Sequence, residues 1–173
     1  INHGGTLITG FHCNISRFVD KNLTVIVLTN RLRSNPAMLG YTIAGFYDAS
    51  LRPPHLIQSK PDSNPQRTNR IRDLLLKAGD GSVDESGATA GFLSSLSSKN
   101  GPKSDIKNAF QASKTFSFIH CKNVSRRSVE RMGSKIETIC FHKINAKPQS
   151  HYLGVYLDSK DRLAEVWIYS NGG

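Results

Sequence analysis

The sequence predicts an α+β chain built in two parts, and three observations carry that expectation. Two β-rich runs followed by one helical pattern fill roughly the first fifty residues. A polar stretch holding Pro53, Pro54, Pro61 and Pro65 then interrupts the apolar pattern. Helical spacing returns after it, and from Lys114 onward the apolar period changes to two. Helices first and strands afterwards indicate an antiparallel sheet covered by helices rather than alternating βαβ units. The expected parts are residues 1–52, a linker over 53–66 and a second domain over 67–173. A chain of 173 residues has room for one full domain plus part of another.

At the start, His3-Gly4-Gly5 runs into Thr6, Leu7, Ile8 and Thr9, so the glycines stand at a strand entrance. They leave one edge of that strand without side chains, where a ligand can approach the peptide groups closely. The same residues also fit a plain Gly-Gly turn with His3 as a solvated loop residue. Strands are expected over 7–18 and 23–30, joined by the polar turn Val19-Asp20-Lys21-Asn22. The second run is nearly continuous in apolar residues, which predicts burial on both faces. Pro36 suits a first helical turn, and Ala37, Leu39, Ile43, Ala44, Tyr47 and Leu51 follow at helical spacing, a helix of about four turns. Two strands and one helix are too little to bury so apolar a sheet, so a further segment is expected upstream.

In the second part, Asn64-Pro65 reads as an N-cap with proline at the first helical position. Ile71, Leu74, Leu75 and Ala78 form one apolar face, and Gly79 is the expected stop. A second helix is expected from Asp84 through Ala88, Phe92, Leu93 and Leu96, and a third after Gly101-Pro102 with Ile106 and Phe110. Strands are expected over 115–122, 135–143, 151–157 and 163–169, the last pair joined by Asp158-Ser159-Lys160-Asp161.

The net charge is +10, and the mean hydropathy of -0.36 belongs to a water-facing chain. No apolar run approaches the roughly 18 residues that span a bilayer, so no transmembrane span is expected. Basic residues outnumber acidic ones by 10 to 5 over residues 113–173 without forming a block. Only Arg126, Arg127 and Arg131 cluster, which is less than the stripe of Lys/Arg and aromatics that nucleic-acid binding requires. No nucleic-acid partner is therefore expected, and no cofactor motif occurs. Attraction to an anionic surface remains open.

The cysteines are Cys13, Cys121 and Cys140. The last two fall on neighbouring expected strands and can share a face. A cross-strand disulfide, a zinc site with His142 and His151, and two reduced half-buried thiols all fit that placement. No zinc-module spacing supports the second, so the chain carries no expected metal.

The ordered set His-Gly-Gly, Gly10-Phe11, a strand ending Val27-Leu28-Thr29-Asn30, a closing helix and the Pro53-Pro54 exit resembles the C-terminal end of the serine β-lactamase and penicillin-binding-protein-like hydrolases. That group includes class C β-lactamases, D-alanyl-D-alanine carboxypeptidases and related esterases. Residues 67–168, with the final hairpin Gly154-Val155-Tyr156-Leu157-Asp158 and Leu163-Ala164-Glu165-Val166-Trp167-Ile168, look like the cystatin-like accessory domain of some members. The resemblance implies a β-lactamase-like sheet followed by a helix-plus-four-stranded-sheet domain. It implies that His3 stands where the Lys-Thr-Gly motif has its basic residue and positions substrate. Gly4 and Gly5 would clear the substrate path, and the Thr6 backbone N–H would supply half of an oxyanion hole.

The partner this implies is an upstream catalytic segment carrying the nucleophile. The substrate implied is a small molecule or cell-wall-type compound, and the location is periplasmic or secreted. Ser104-Asp105-Ile106-Lys107 and Tyr169-Ser170-Asn171 match the family's Ser-x-x-Lys and Tyr-x-Asn literally but fall in the wrong order and the wrong domain. Without an activated nucleophile the chain is expected to be catalytically incomplete. The alternative is a non-catalytic binding module with a basic surface. In cystatin-like domains a cone-shaped pocket lies between sheet and helix, and Tyr152, Tyr156, Trp167 and Tyr169 are candidates either to line it or to form core and rim. Asn14, Asn22 and Asn123 stand in N-x-S/T sequons.

Overall fold

The computed structural model describes residues 1–7, 10–31, 34–111, 113–125, 129–146 and 150–170. It is mixed α+β with antiparallel sheets. The chain divides into two compact units between Ile57 and Gln58, inside the proline-bearing stretch.

The first unit is a three-stranded antiparallel sheet in the order β1 (Asn2–Thr6), β2 (His12–Phe18), β3 (Leu23–Thr29), followed by α1 (Pro36–Tyr47). The expected strand over 7–18 is therefore shortened to β2, and Asn2–Thr6 upstream of it forms a strand of its own. Leu7 N–H donates to Phe11 O and Gly10 N–H to Leu7 O, and Gly10 has φ of 89°, closing a turn there. His3, Gly4 and Gly5 consequently lie within β1 and not at its entrance. Ile8 and Thr9 fall outside the described residues.

Burial on both faces of the second apolar run is also overturned. Val25 and Val27 are buried against the helix side with Ala44, whereas Ile26 and Leu28 are 64% and 77% exposed. Helix α1 begins as expected, with the Asn35 side chain accepting from Met38 N–H and Pro36 in the first turn. It stops at Tyr47, where Asp48 turns the chain into a 3-10 turn over Ala49–Leu51. Its buried face is Gly40, Ala44 and Gly45. A Cβ at Gly40 would stand 3.3 Å from Ser16 Oγ, so the helix approaches β2 closely enough that a side chain there would press on Ser16.

The second unit holds α2 (Pro65–Asp80), α3 (Ala90–Leu96) and α4 (Lys103–Gln111). A sheet follows in the order β4 (Ser113–Asn123), β7 (Thr138–Ala146), β8 (His151–Leu157), β9 (Leu163–Ser170). A two-stranded hairpin, β5 (Glu130–Arg131) and β6 (Ser134–Lys135), sits in the β4–β7 connection, so the expected strand over 135–143 is split. Asn64 caps α2 through Arg67 N–H. The stop is Gly81, with φ of 79°, rather than Gly79. Gly79 is buried inside the helix, where a Cβ would stand 3.2 Å from the Lys107 backbone of α4. Helix α3 begins after Thr89, not at Asp84, because the Asp84 carbonyl and carboxylate close a turn over 84–88 and Thr89 pairs with Leu163.

The core lies between these helices and one face of the sheet, from Ile71, Leu74, Leu75, Phe92 and Ile106 to Ile144, Leu153, Val155 and Leu163. Burying a side chain of this kind contributes on the order of 2 kcal/mol. At the last hairpin, the Asp158 carboxylate accepts from Lys160 N–H, Arg162 N–H and Arg162 Nε at 2.8–2.9 Å, fixing the expected tight turn. No helix is long and apolar enough to cross a membrane among the described residues.

Candidate functional site

Strand β1 pairs with β2 alone among the described strands, so its other edge carries unpaired backbone groups. Hydrogen-bonded pairs alternate along an antiparallel ladder. Ile1 and Arg17 exchange both bonds, and Leu7 N–H bonds to Phe11 O. His3 and Gly5 therefore point their N–H groups toward β2, and Asn2, Gly4 and Thr6 point theirs to the open edge. Side chains divide the same way. Asn2, Gly4 and Thr6 share the face of Asn14 and Ser16, which Gly40 of α1 covers. His3 and Gly5 share the opposite face with Cys13 and Ile15.

A buried polar chain supports β1 from the helix side. Ser16 Oγ donates to Asn14 Oδ1 at 2.8 Å, and Asn14 Nδ2 donates to Asn2 Oδ1. That burial also takes Asn14 out of reach as a glycan acceptor. Thr6 Oγ1 lies 3.2 Å from His12 Nδ1. A Cβ at Gly5 would stand 3.0 Å from Cys13 Sγ, so any larger residue there would crowd the sheet. Strand β1 thus brings His3, Gly4, Gly5 and Thr6 together on one exposed edge.

In the second unit, Cys121 and Cys140 are directly opposed on β4 and β7 and form a disulfide with a Cα–Cα distance of 4.1 Å. That overturns the zinc and reduced-thiol readings, since joined sulfurs are not thiolate ligands. Among the described residues no group of three or more His, Cys, Asp or Glu could hold a metal ion. His142 is fully buried on the helix side, stacked on Phe116 at 4.6 Å with Phe118 edge-on. Neither of its ring nitrogens has a hydrogen-bond partner among the described residues. Burial pushes its pKa down to about 4, against a small opposing pull from the Asp62 carboxylate.

The aromatic residues expected beside a pocket between sheet and helix lie on the other face. Tyr152, Gly154 and Tyr156 of β8 pair with Tyr169, Trp167 and Glu165 of β9, while Leu153, Val155, Val166 and Ile168 take the helix side. Across the sheet this outer face, on which Tyr152 and Gly154 are themselves buried, continues through Phe141 and Lys143 of β7 to His120 and Lys122 of β4. His120 stacks on Phe141 at 4.7 Å and Tyr152 on Tyr169 at 5.6 Å. The ammonium groups of Lys122 and Lys143 stand 5.3 and 5.8 Å from the Phe141 and Tyr152 ring centres. Segment 129–136 covers one end of the face: Val129 and Ile136 pack near Ile139, and Arg131 bonds Glu165 at 2.8 Å over the Tyr156 ring.

Sequence reasoning gave no site role to His120, Phe141, Lys143 or Gly154. The period-two alternation in β8 and β9 is the signal that would have placed the aromatic face away from the aliphatic one. Ser104 and Lys107 of the literal Ser-x-x-Lys lie on α4, with Lys107 paired to Asp80 at 3.8 Å. Asn171 and the Arg126-Arg127 pair lie outside the described residues. Comparison with known proteins returned nothing: no family model, no curated protein and no solved structure matches the chain.

Proposed function

We propose that the first unit is one wall of a serine hydrolase active site of the β-lactamase and penicillin-binding-protein-like class, catalytically incomplete alone, and that its nucleophile comes from an upstream segment. The observation that carries this reading is the orientation of β1. Thr6 N–H points out of the open edge, where a carbonyl oxygen turning into an oxyanion can accept it. His3 stands on the face without a helix, beside that edge, where a cationic or hydrogen-bonding ring meets a substrate carboxylate or leaving group. Gly4 and Gly5 leave the strand bare, so an ester, amide or lactam lies flat along it. Exposed Ile15, Ile26 and Leu28 on the same face are the apolar surface that the catalytic segment would cover.

The test uses the chain alone and joined to its upstream sequence. The 173-residue chain turns over neither nitrocefin nor p-nitrophenyl acetate, and the longer chain carries Ser-x-x-Lys followed by Tyr-x-Asn. In the longer chain Thr6→Pro removes an N–H that bonds to no strand among the described residues. Its kcat falls by about 10²–10³ with an unchanged melting temperature. Burst acylation of the 173-residue chain by a β-lactam, or an upstream sequence without those motifs, overturns the proposal.

A second reading applies to the second unit: a ligand-binding module with a basic surface, favoured by the net charge of +10 and by the exposed Trp167.

A further inference from the structure

We infer that His12 is a positioning residue for the Thr6 hydroxyl and makes it a hydrogen-bond donor at the open edge of β1, beside the Thr6 N–H; this rests on the hydrolase reading of the first unit. Thr6 and His12 are partners on the last rung between β1 and β2. Backbone bonds alternate along the ladder, and theirs is a rung without them, where facing side chains stand closest. Thr6 Oγ1 lies 3.2 Å from His12 Nδ1. Thr6 is exposed and His12 is half-buried.

The protonation of the imidazole decides which of the two groups donates. His12 Nε2 is buried and has no hydrogen-bond partner among the described residues. Thr29, the partner of His12 on β3, spends its hydroxyl elsewhere: Thr29 Oγ1 donates to His12 O at 3.4 Å and lies 2.5 Å from Ser34 Oγ. A neutral imidazole carries one proton. On Nε2 that proton would be a buried N–H with nothing to bond, and orphaned N–H groups are rarer in folded proteins than orphaned acceptors. On Nδ1 it bonds Thr6 Oγ1. His12 is therefore the donor and the hydroxyl the acceptor.

An accepting hydroxyl keeps its own proton for another partner. His12 stands on the β2 side of Thr6, so the Thr6 proton turns away from β2, to the side where the Thr6 N–H also points. One residue thus presents an N–H and an O–H to the same edge. A carbonyl oxygen that gains charge during acyl transfer accepts from both, and donors fixed before the reaction stabilise that charge without reorganising. A hydroxyl released from His12 rotates, and half of its orientations turn lone pairs toward that oxygen. The proton stays on Oγ1 throughout, and His12 touches no reacting atom.

The experiment uses the chain joined to its upstream sequence, with p-nitrophenyl acetate as substrate. Thr6→Val keeps the branched side chain and the N–H but loses the hydroxyl, and is expected to lower kcat about tenfold at unchanged KM. His12→Phe keeps a ring and removes the donor, and kcat falls several-fold. His12→Asn, whose amide N–H takes the place of Nδ1, recovers most of that loss. The double variant Thr6→Val/His12→Phe falls no further than Thr6→Val, because His12 acts only through the hydroxyl. Nitrogen-15 spectra of the native longer chain show the His12 proton on Nδ1. A pair that only ties the end of the sheet would lower the melting temperature and leave kcat as it was. That result, or the proton on Nε2, overturns the inference and leaves the hydrolase reading standing. A longer chain that turns over neither the ester nor nitrocefin removes the hydrolase reading and the role of His12 together.

Discussion

The two sheets of this chain differ in how completely they are covered. In the second unit one face is closed by three helices over a continuous core, and one end of the other face is covered by segment 129–136. In the first unit a single helix, whose buried face is Gly40, Ala44 and Gly45, covers one face, and the other presents Ile15, Ile26 and Leu28 to solvent. Strand content and hydrophobicity are similar in kind. What differs is the supply of covering elements, so the second unit is expected to fold by itself and the first to need a further cover.

The largest effect that would break the comparison is on cooperative folding itself. Residues 58–173 alone are expected to give a sharp thermal transition followed by circular dichroism, and residues 1–57 alone none. A sharp transition from 1–57 would show that α1 suffices to cover its sheet.

The next concerns acid. The folded pKa of His142 lies below its unfolded value of 6.5, so folding favours the neutral ring. Its contribution is complete above pH 6.5 and is lost as pH falls toward 4, a loss of about 3 kcal/mol for the second unit. Urea melts between pH 7 and 4 measure it. His142→Phe, which keeps the stack on Phe116, should flatten that dependence.

Smallest is the effect of Leu28→Thr on β3. Because the side chain is exposed, stability should change by less than about 0.5 kcal/mol, while light scattering on heating should fall. A loss above 2 kcal/mol would mean that Leu28 is covered in solution.

Local signals were legible and long-range ones were not. Asn64-Pro65 fixed the start of α2, because a side-chain acceptor and a missing N–H act within one turn. The end was misplaced because Gly79 and Gly81 look alike in sequence. Only the approach of α4 makes Gly79 a packing residue. The run from Leu23 to Thr29 suggested two buried faces because a continuous apolar strand carries no record of whether its second cover is present. The residues His3, Gly4, Gly5 and Thr6 could be named from the sequence, yet the roles proposed for them depend on which N–H faces outward. That depends on a register set by Gly10 and by the pairing with β2.

The bond between Cys121 and Cys140 has a consequence for how the second unit meets proteases. It closes a covalent ring around the β5–β6 hairpin, whose tip at Met132 and Gly133 is exposed and takes positive φ at both residues. Such a tip is where a protease cuts. A cut there opens the ring without parting the chain, and the edge strand β4 stays pinned to β7. The two pieces separate only under reduction, so a nicked molecule keeps its sheet for as long as its surroundings are oxidising.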